Sequence, residues 1–78
     1  MEIKVKVYNA CKYFNAAKKI HEVVYKDVKK FTVETLTHEE IDRMGFDEYD
    51  EFNEYLTITF QNGETATFRN SHVDVFTV

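Results

Sequence analysis

Residues 55–68 carry the strongest local folding signal in the chain, the pattern of a β-hairpin. In residues 55–60, apolar side chains alternate with threonines, so that one face of a strand is apolar and the other is polar. Asn62 and Gly63 follow, and these residue types adopt positive φ at the least steric cost, as a type I′ turn requires. The alternation resumes in residues 65–69. The pattern predicts two antiparallel strands joined by a type I′ turn.

The composition indicates one soluble domain that spans residues 1–78. A chain of 78 residues buries a modest core, and its seven Phe and five Tyr supply large apolar area for that core. Because Cys11 is the single cysteine, no internal disulfide forms, which suits a reducing compartment. No stretch has the length and apolar character of a membrane span or a signal peptide. We therefore expect a cytoplasmic protein that does not enter a membrane.

Three further segments show strand patterns. In residues 3–7, apolar residues alternate with lysines, and residues 31–35 alternate in the same way. Residues 73–78 form a last apolar stretch after the break at Asn70-Ser71. Together with the hairpin, these segments predict a small antiparallel sheet.

Two segments show helix patterns. After Asn9, which is a competent N-cap, apolar residues recur at three- and four-residue spacing as far as His21, with lysines between them. This spacing predicts an amphipathic N-terminal helix of about three turns. A second, short helix begins after Thr37, where Glu40 completes a capping box, and it ends at Gly45.

The predicted fold class is α+β: a small antiparallel sheet of three to five strands, an N-terminal amphipathic helix and a short second helix. Helices and strands do not alternate strictly, which excludes a doubly wound parallel sheet. The alternative is an SH3-like curled β-barrel with a helix.

The sequence favours a protein that is not an enzyme. Ser71, His72 and Asp74 include the residue types of a catalytic triad, but on a strand Ser71 points away from the other two. The three histidines and Cys11 lack the short paired spacing of a metal site. With two glycines in the whole chain, no phosphate-binding loop is present. We predict no catalytic residue, no metal and no cofactor.

Charge is distributed unevenly along the chain. Residues 1–33 hold eight lysines against three acids, whereas residues 34–64 hold ten acids against one arginine. The densest acidic stretch also carries two aromatic residues, and its members are the predicted partner-binding residues: Asp47, Glu48, Tyr49, Asp50, Glu51, Phe52 and Glu54. Such a stretch is either a solvated surface or a contact surface for a basic partner.

Two segments, residues 31–40 and above all residues 63–76, resemble small uncharacterised proteins encoded on phages and integrative elements of Gram-positive bacteria. The resemblance covers about half of the chain and includes no functional motif. It implies a setting in which compact acidic proteins act by binding, among them inhibitors of host defence such as anti-CRISPR proteins.

The leading hypothesis is therefore a non-enzymatic protein-binding module of a mobile element, an acidic inhibitor that occupies the basic nucleic-acid-binding groove of a host protein. One alternative is a nucleic-acid-associated accessory protein that uses the Lys-rich N-terminal helix, although the acidic net charge of −4 argues against direct nucleic-acid binding. Another alternative is a homodimeric structural protein, because a short chain with an open sheet edge gains by burying more surface.

Overall fold

Six β-strands and one short helix form the described chain, which comprises residues 1–46 and 49–78 of a computed structural model. The elements are β1 (Ile3–Tyr8), β2 (Lys19–Tyr25), β3 (Val28–Thr35), α1 (His38–Met44), β4 (Glu54–Phe60), β5 (Thr65–Arg69), a 3-10 turn (Asn70–His72) and β6 (Val73–Thr77). The strands form two antiparallel sheets with the orders β2-β1-β6 and β3-β4-β5.

The chain passes from the first sheet to the second and back again. It crosses over at Lys26-Asp27, between β2 and β3, and returns through the 3-10 turn between β5 and β6. Because β6 then pairs with β1, the C-terminal strand lies beside the N-terminal one. The 3-10 turn therefore joins the two sheets, and its position matters for the site described below.

The core lies between the two sheets and consists of aliphatic side chains. Six buried residues form one cluster: Ile3, Val5, Val28, Leu56, Ile58 and Val73. The central strands β1 and β4 supply four of them, because a central strand is shielded on both edges. Tyr25, Phe31, Phe60 and Phe68 pack around this cluster and remain partly exposed.

The hairpin predicted for residues 55–68 is confirmed, but its turn is not of type I′. Thr59 pairs with Thr65, and the amide of Phe60 donates to the carbonyl of Glu64, which leaves a three-residue loop. Gly63 has a φ of +89°, whereas Asn62 does not have a positive φ. This is the geometry of a type I turn followed by a left-handed glycine. Asn62 Oδ1 instead accepts from the amide of Glu64, so that its side chain closes the loop.

The short helix α1 has the predicted caps. The hydroxyl of Thr37 accepts from the amide of Glu40 at 3.1 Å, and the carboxylate of Glu40 accepts from the amide of Thr37 at 3.2 Å. Gly45 ends the helix with a φ of +79°. All of these contacts join residues close in sequence, which is why the pattern alone was sufficient to find them.

The prediction of an N-terminal amphipathic helix is wrong. Residues 10–18 form successive turns, and β2 begins at Lys19. Asn9 does not cap a helix: its Oδ1 accepts from the amide of Lys18, and its own amide donates to the Lys18 carbonyl, which closes the loop. The β-branched Val23 and Val24 favour a strand, and β2 pairs with β1 along its whole length. The hydrogen bonds between β1 and β2 therefore outweigh the helical spacing of apolar residues in this segment.

The α+β class is therefore wrong, since the described structure is mostly β. The strands form two separate three-stranded sheets, and the N-terminal helix that both the predicted class and its alternative included is absent from the described residues. The Lys-rich helical face is absent with it. Lys12 lies in the loop before β2, and its ammonium donates to the carbonyl of Val73 at 2.8 Å and pairs with Asp74. The hypothesis of a Lys-rich nucleic-acid-binding helix has lost its structural basis.

Ile58, on the central strand β4, should contribute strongly to stability. We expect Ile58→Ala, at a fully buried position, to lower the free energy of unfolding by about 2–5 kcal/mol, because it removes packed methyl groups and leaves a cavity. Val33→Ala, on the edge strand β3 and 50% exposed, is the matched control and should cost much less. Urea denaturation of both variants checks this expectation. Equal losses would mean that the core does not lie between the sheets as described.

Candidate protein-binding surface

Two loops meet beside the 3-10 turn, and each contributes an exposed aromatic residue. Tyr13 comes from the loop of residues 9–18, and Phe52 comes from the segment that joins α1 to β4. Their ring centroids are 5.8 Å apart in an edge-to-face arrangement. Even so, Tyr13 is 63% exposed and Phe52 is 52% exposed. We call Tyr13 and Phe52 the aromatic pair.

Asp50 anchors the second of these loops. Its side chain is buried, and Oδ2 accepts from the amides of Phe52 at 2.9 Å and Glu54 at 3.2 Å. Oδ1 accepts from the amide of Ser71 at 3.0 Å and from the Ser71 hydroxyl. The amide of Asp50 donates to the phenol oxygen of Tyr55 at 2.9 Å. The carboxylate of Asp50 thus accepts hydrogen bonds from amides of its own loop and from the amide of Ser71, which lies 21 residues further along the chain.

Ser71 also holds the first loop. Its carbonyl accepts from the amide of Lys12 at 2.7 Å. Because Tyr13 directly follows Lys12 and Phe52 lies two residues after Asp50, binding both loops to Ser71 brings the two rings together. The aromatic pair therefore depends on a residue that belongs to neither loop.

Glu51 adds a second link between the loop and the 3-10 turn. Its carboxylate lies 2.9 Å from Nε2 of His72 and also contacts the hydroxyl of Ser71. A hydroxyl carries one proton, so that Ser71 donates to Asp50 or to Glu51 at any moment but not to both. The His72 contact gives Glu51 a second donor.

These hydrogen bonds stabilise both carboxylates in the ionised form. Burial opposes ionisation of Asp50, but the hydroxyl of Ser71 and the backbone amides of Phe52, Ser71 and Glu54 outweigh it and lower the pKa of Asp50 below its ordinary value of 3.8. The hydrogen bond from Ser71, followed by that from His72, lowers the pKa of Glu51 from 4.5 to about 2. The anchor is therefore an ionic one at neutral pH.

Aromatic stacking holds the segment against α1 and β4. Tyr49 stacks on His38 with centroids 5.2 Å apart, and its hydroxyl donates to Asp42. The bond to Asp42 raises the pKa of Tyr49 above its ordinary value. Phe46 stacks on Tyr55 with an interplanar angle of 4°.

The predicted partner-binding residues fall into separate environments. Asp47 and Glu48 lie outside the described residues. Asp50 is 3% exposed and is committed to the anchor, so that its carboxylate does not face a partner. Tyr49 and Phe52 are exposed, as is Glu51, whereas Glu54 is half-buried. The structure brings Phe52 together with Tyr13, which lies in the segment that the sequence predicted to be the N-terminal amphipathic helix.

The residues that sequence reasoning missed are Tyr13 and Ser71. The sequence indicated a break at Asn70-Ser71 and argued against Ser71 as a nucleophile, but it did not indicate that the side chain is buried and that its hydroxyl contacts the two carboxylates from the other loop. Asp74 instead accepts from the hydroxyl of Tyr8 and pairs with Lys12. The residues that meet at the anchor are about 20 positions apart, and no local spacing indicates that they meet.

A cavity of about 390 Å³ lies between β1 and β5, in the size range of small-molecule sites. Its walls include Val7, Tyr8, Phe68 and Val73. Of the described residues that were predicted to bind a partner, none lines it. The cavity and the aromatic pair are separate features of the molecule.

In comparisons with known proteins, no protein-family model, no curated protein and no solved structure matches the chain. Within residues 1–46 and 49–78, no helix is long and apolar enough to cross a membrane. In the same part of the chain, no three His, Cys, Asp or Glu side chains form a group that could hold a metal ion.

Removing the anchor should loosen both loops. We expect Asp50→Ala to lower the free energy of unfolding by about 2–4 kcal/mol, because it leaves the buried amide of Ser71 without its acceptor and frees those of Phe52 and Glu54. Glu39→Ala, on the exposed face of α1, is the control and should change stability by about 0.5 kcal/mol or less. Denaturation curves measure the free energy of unfolding, and amide NMR spectra show whether the conformation of the two loops has changed. An Asp50→Ala protein with unchanged resonances in both loops would contradict the anchor.

Acid should weaken the same anchor. Because the pKa values of Asp50 and Glu51 are lower in the folded chain, their contribution to stability is complete above about pH 4.5 and is lost as the pH falls toward about 2. The Glu51 side chain is 39% exposed, so that solvent screens part of its contribution. We expect Glu51→Gln to lose less stability than the wild type over this range, as measured by urea unfolding at several pH values. Glu39→Gln is the control, and parallel curves for the wild type and Glu51→Gln would contradict the assignment.

Proposed function

We propose that this protein is a non-enzymatic module that binds a protein partner on the aromatic pair and the acidic groups beside it. The observation that supports the proposal is the exposure of Tyr13 and Phe52, which contact each other across two loops and still leave more than half of each residue in water. Exposed aromatic side chains that lie side by side are typical of interaction surfaces.

The energetic argument concerns burial. A large aromatic ring that passes from water into an interface contributes about 25 cal/mol per Å² of apolar area, and such rings are over-represented among the residues that dominate binding energy. Tyr13 also offers a hydroxyl, which suits a partially wet interface. A partner that covers both rings would gain binding free energy, because it removes their apolar area from water.

The anchor prepares this surface before a partner arrives. The first loop is joined to Ser71 by a backbone hydrogen bond, and the second is joined to Ser71 through the buried carboxylate of Asp50. Because the loops are already ordered, less conformational entropy is lost when a partner binds. Such ordering costs are a main reason why a large buried area does not by itself give high affinity. This is the second observation in favour of a binding role.

Charge favours a basic partner. Glu51, which precedes Phe52 in the chain, is exposed, and so is Asp42, which contacts Tyr49. Asp47 and Glu48 add two acids to the same segment of the sequence. A basic partner is attracted at long range, and the attraction falls as salt screens it. Together with the resemblance to mobile-element proteins, this supports a partner such as a nucleic-acid-binding protein of the host, whose groove the module would occupy as an inhibitor. Asp50 takes no direct part in that contact.

The test is affinity capture from a host-cell lysate with three forms of the protein. We expect the wild type to retain a basic protein at low salt and Phe52→Ala to weaken its binding by about 2 kcal/mol, roughly thirtyfold in Kd, because it removes half of the aromatic pair. Phe76→Ala is the matched control, since Phe76 is 45% exposed but lies in β6. Calorimetry with the purified partner measures each Kd.

The acidic part of the surface is tested separately. The double variant Asp47→Lys, Glu48→Lys changes no residue of the anchor and should weaken capture at low salt more than at high salt. Loss of binding in Phe76→Ala, or full binding in both Phe52→Ala and the double variant, would place the contact elsewhere. Retention of DNA or RNA instead of a protein would contradict the proposal.

A further inference from the structure

The strand β3 forms one edge of the second sheet. Among the residues that the structure describes, β4 is the only strand that pairs with it. Most of its side chains are exposed, including Val33 at 50%. Met1 covers the start of this edge, because the amide of Val28 donates to the Met1 carbonyl and the Val28 carbonyl accepts from the N-terminal ammonium. The rest of the strand is long for an unprotected edge, and it offers a row of amides and carbonyls to another strand.

The register shows which backbone groups of β3 point outward. The amide of Leu36 donates to the carbonyl of Asn53, which continues the ladder between β3 and β4. Hydrogen bonds in an antiparallel ladder alternate, so that Lys30, Thr32 and Glu34 direct their amides and carbonyls toward β4 in the same way. Phe31, Val33 and Thr35 then direct theirs away from the sheet. Phe31, Val33 and Thr35 therefore offer main-chain hydrogen bonds to a new strand.

The side chains of β3 are complementary to a second copy of the same strand. In an antiparallel pair centred on Thr32, Lys30 of one copy lies opposite Glu34 of the other, and Phe31 lies opposite Val33. Directly opposite residues lie on the same face of a sheet, so that the charges meet on one face and the apolar side chains on the other. The outward-pointing groups of Phe31 and Val33 would form hydrogen-bonded pairs in this same register.

We infer that the protein forms a two-fold symmetric homodimer through β3, with Thr32 on the axis. Two three-stranded sheets join into one of six strands. The contact is isologous, since each Lys30–Glu34 pair occurs twice, as two-fold symmetry requires. Neither Lys30 nor Glu34 has an ion-pair partner among the described residues, and on one strand they lie about 13 Å apart. Their charges are therefore available to the second copy.

Other pairings fit less well. A parallel in-register pair would place Lys30 against Lys30 and Glu34 against Glu34, which destabilises a sheet. A self-pair of the edge strand β2 centred on Glu22 would place two carboxylates on the axis. Charge thus selects the antiparallel register of β3, and the same charges disfavour uncontrolled growth of the sheet.

The dimer is independent of the proposed binding function. No residue of β3 belongs to the aromatic pair or to the anchor, so that a dimer would present two copies of that surface. Two copies on one particle would raise the apparent affinity for a partner with two sites. Failure of the dimer would leave the partner-binding proposal intact, and the reverse also holds.

The decisive experiment mixes two charge variants. In a homodimer of Lys30→Glu, the introduced carboxylate lies opposite Glu34, and in a homodimer of Glu34→Lys, the introduced ammonium lies opposite Lys30. Because like charges then face each other, each variant alone should dimerise about tenfold more weakly than the wild type. In a mixture of the two variants, both contacts pair opposite charges, and heterodimers should form.

Analytical ultracentrifugation from micromolar to millimolar concentration, with one variant labelled, measures these equilibria. Both substitutions are at exposed positions, so the fold should be preserved. A mixture that associates no more tightly than either variant alone would contradict the register.

Hydrogen exchange tests the same register without changing a charge. The amides of Phe31 and Val33 should exchange rapidly in the dilute monomer and become protected as concentration rises, whereas Thr32 should be protected throughout by its bond to β4. Val33→Pro removes one outward amide without removing a bond to β4, and it should give a folded monomer. A wild type that is monomeric at millimolar concentration would overturn the inference. So would a dimer that Lys30→Glu and Val33→Pro leave unchanged.

Discussion

The hydrogen bonds between Asp50 and Ser71 hold together the parts of this protein that carry its candidate binding surface. Ser71 lies in the 3-10 turn that returns the chain from the second sheet to the first, and its carbonyl and amide bind the two loops. Asp50 is buried but ionised, because three amides and a hydroxyl compensate for its lost hydration. Without this contact, Tyr13 and Phe52 would belong to two independent loops.

The acidic segment combines two kinds of carboxylate. Asp50 contributes to the fold, and Glu51 contributes in part, since it bonds to His72 while it remains accessible. Asp42 lies at the surface beside Tyr49. A run of acids in a sequence therefore does not translate into a uniform acidic ridge. The charge that remains at the surface is concentrated near exposed aromatic rings, which is the combination that a basic, partly apolar partner would recognise.

A chain of 78 residues buries a smaller fraction of its surface than a larger domain does, so that more of its sheet edges and loops stays exposed. The aromatic pair and the edge of β3 are two consequences of this small size. One is a surface of side chains held by an ionic anchor, and the other is a strand whose backbone and charges match a second copy. They lie on different elements, and each can be altered without the other.

Local contacts determined what the sequence alone could show. The hairpin of residues 55–68 and the capped helix α1 were predictable, because alternation, Asn62-Gly63 and the Thr37–Glu40 box act between near neighbours. Pairing with β1 decided residues 19–25, since a ladder between distant strands outweighs a helical spacing. The fold class, the anchor of Asp50 on Ser71 and the meeting of Tyr13 with Phe52 came only from the tertiary structure. All three depend on contacts between residues far apart in the chain, such as Asp50 with Ser71, Tyr13 with Phe52 and Ile3 with Thr77, and no local pattern in the sequence indicates these contacts.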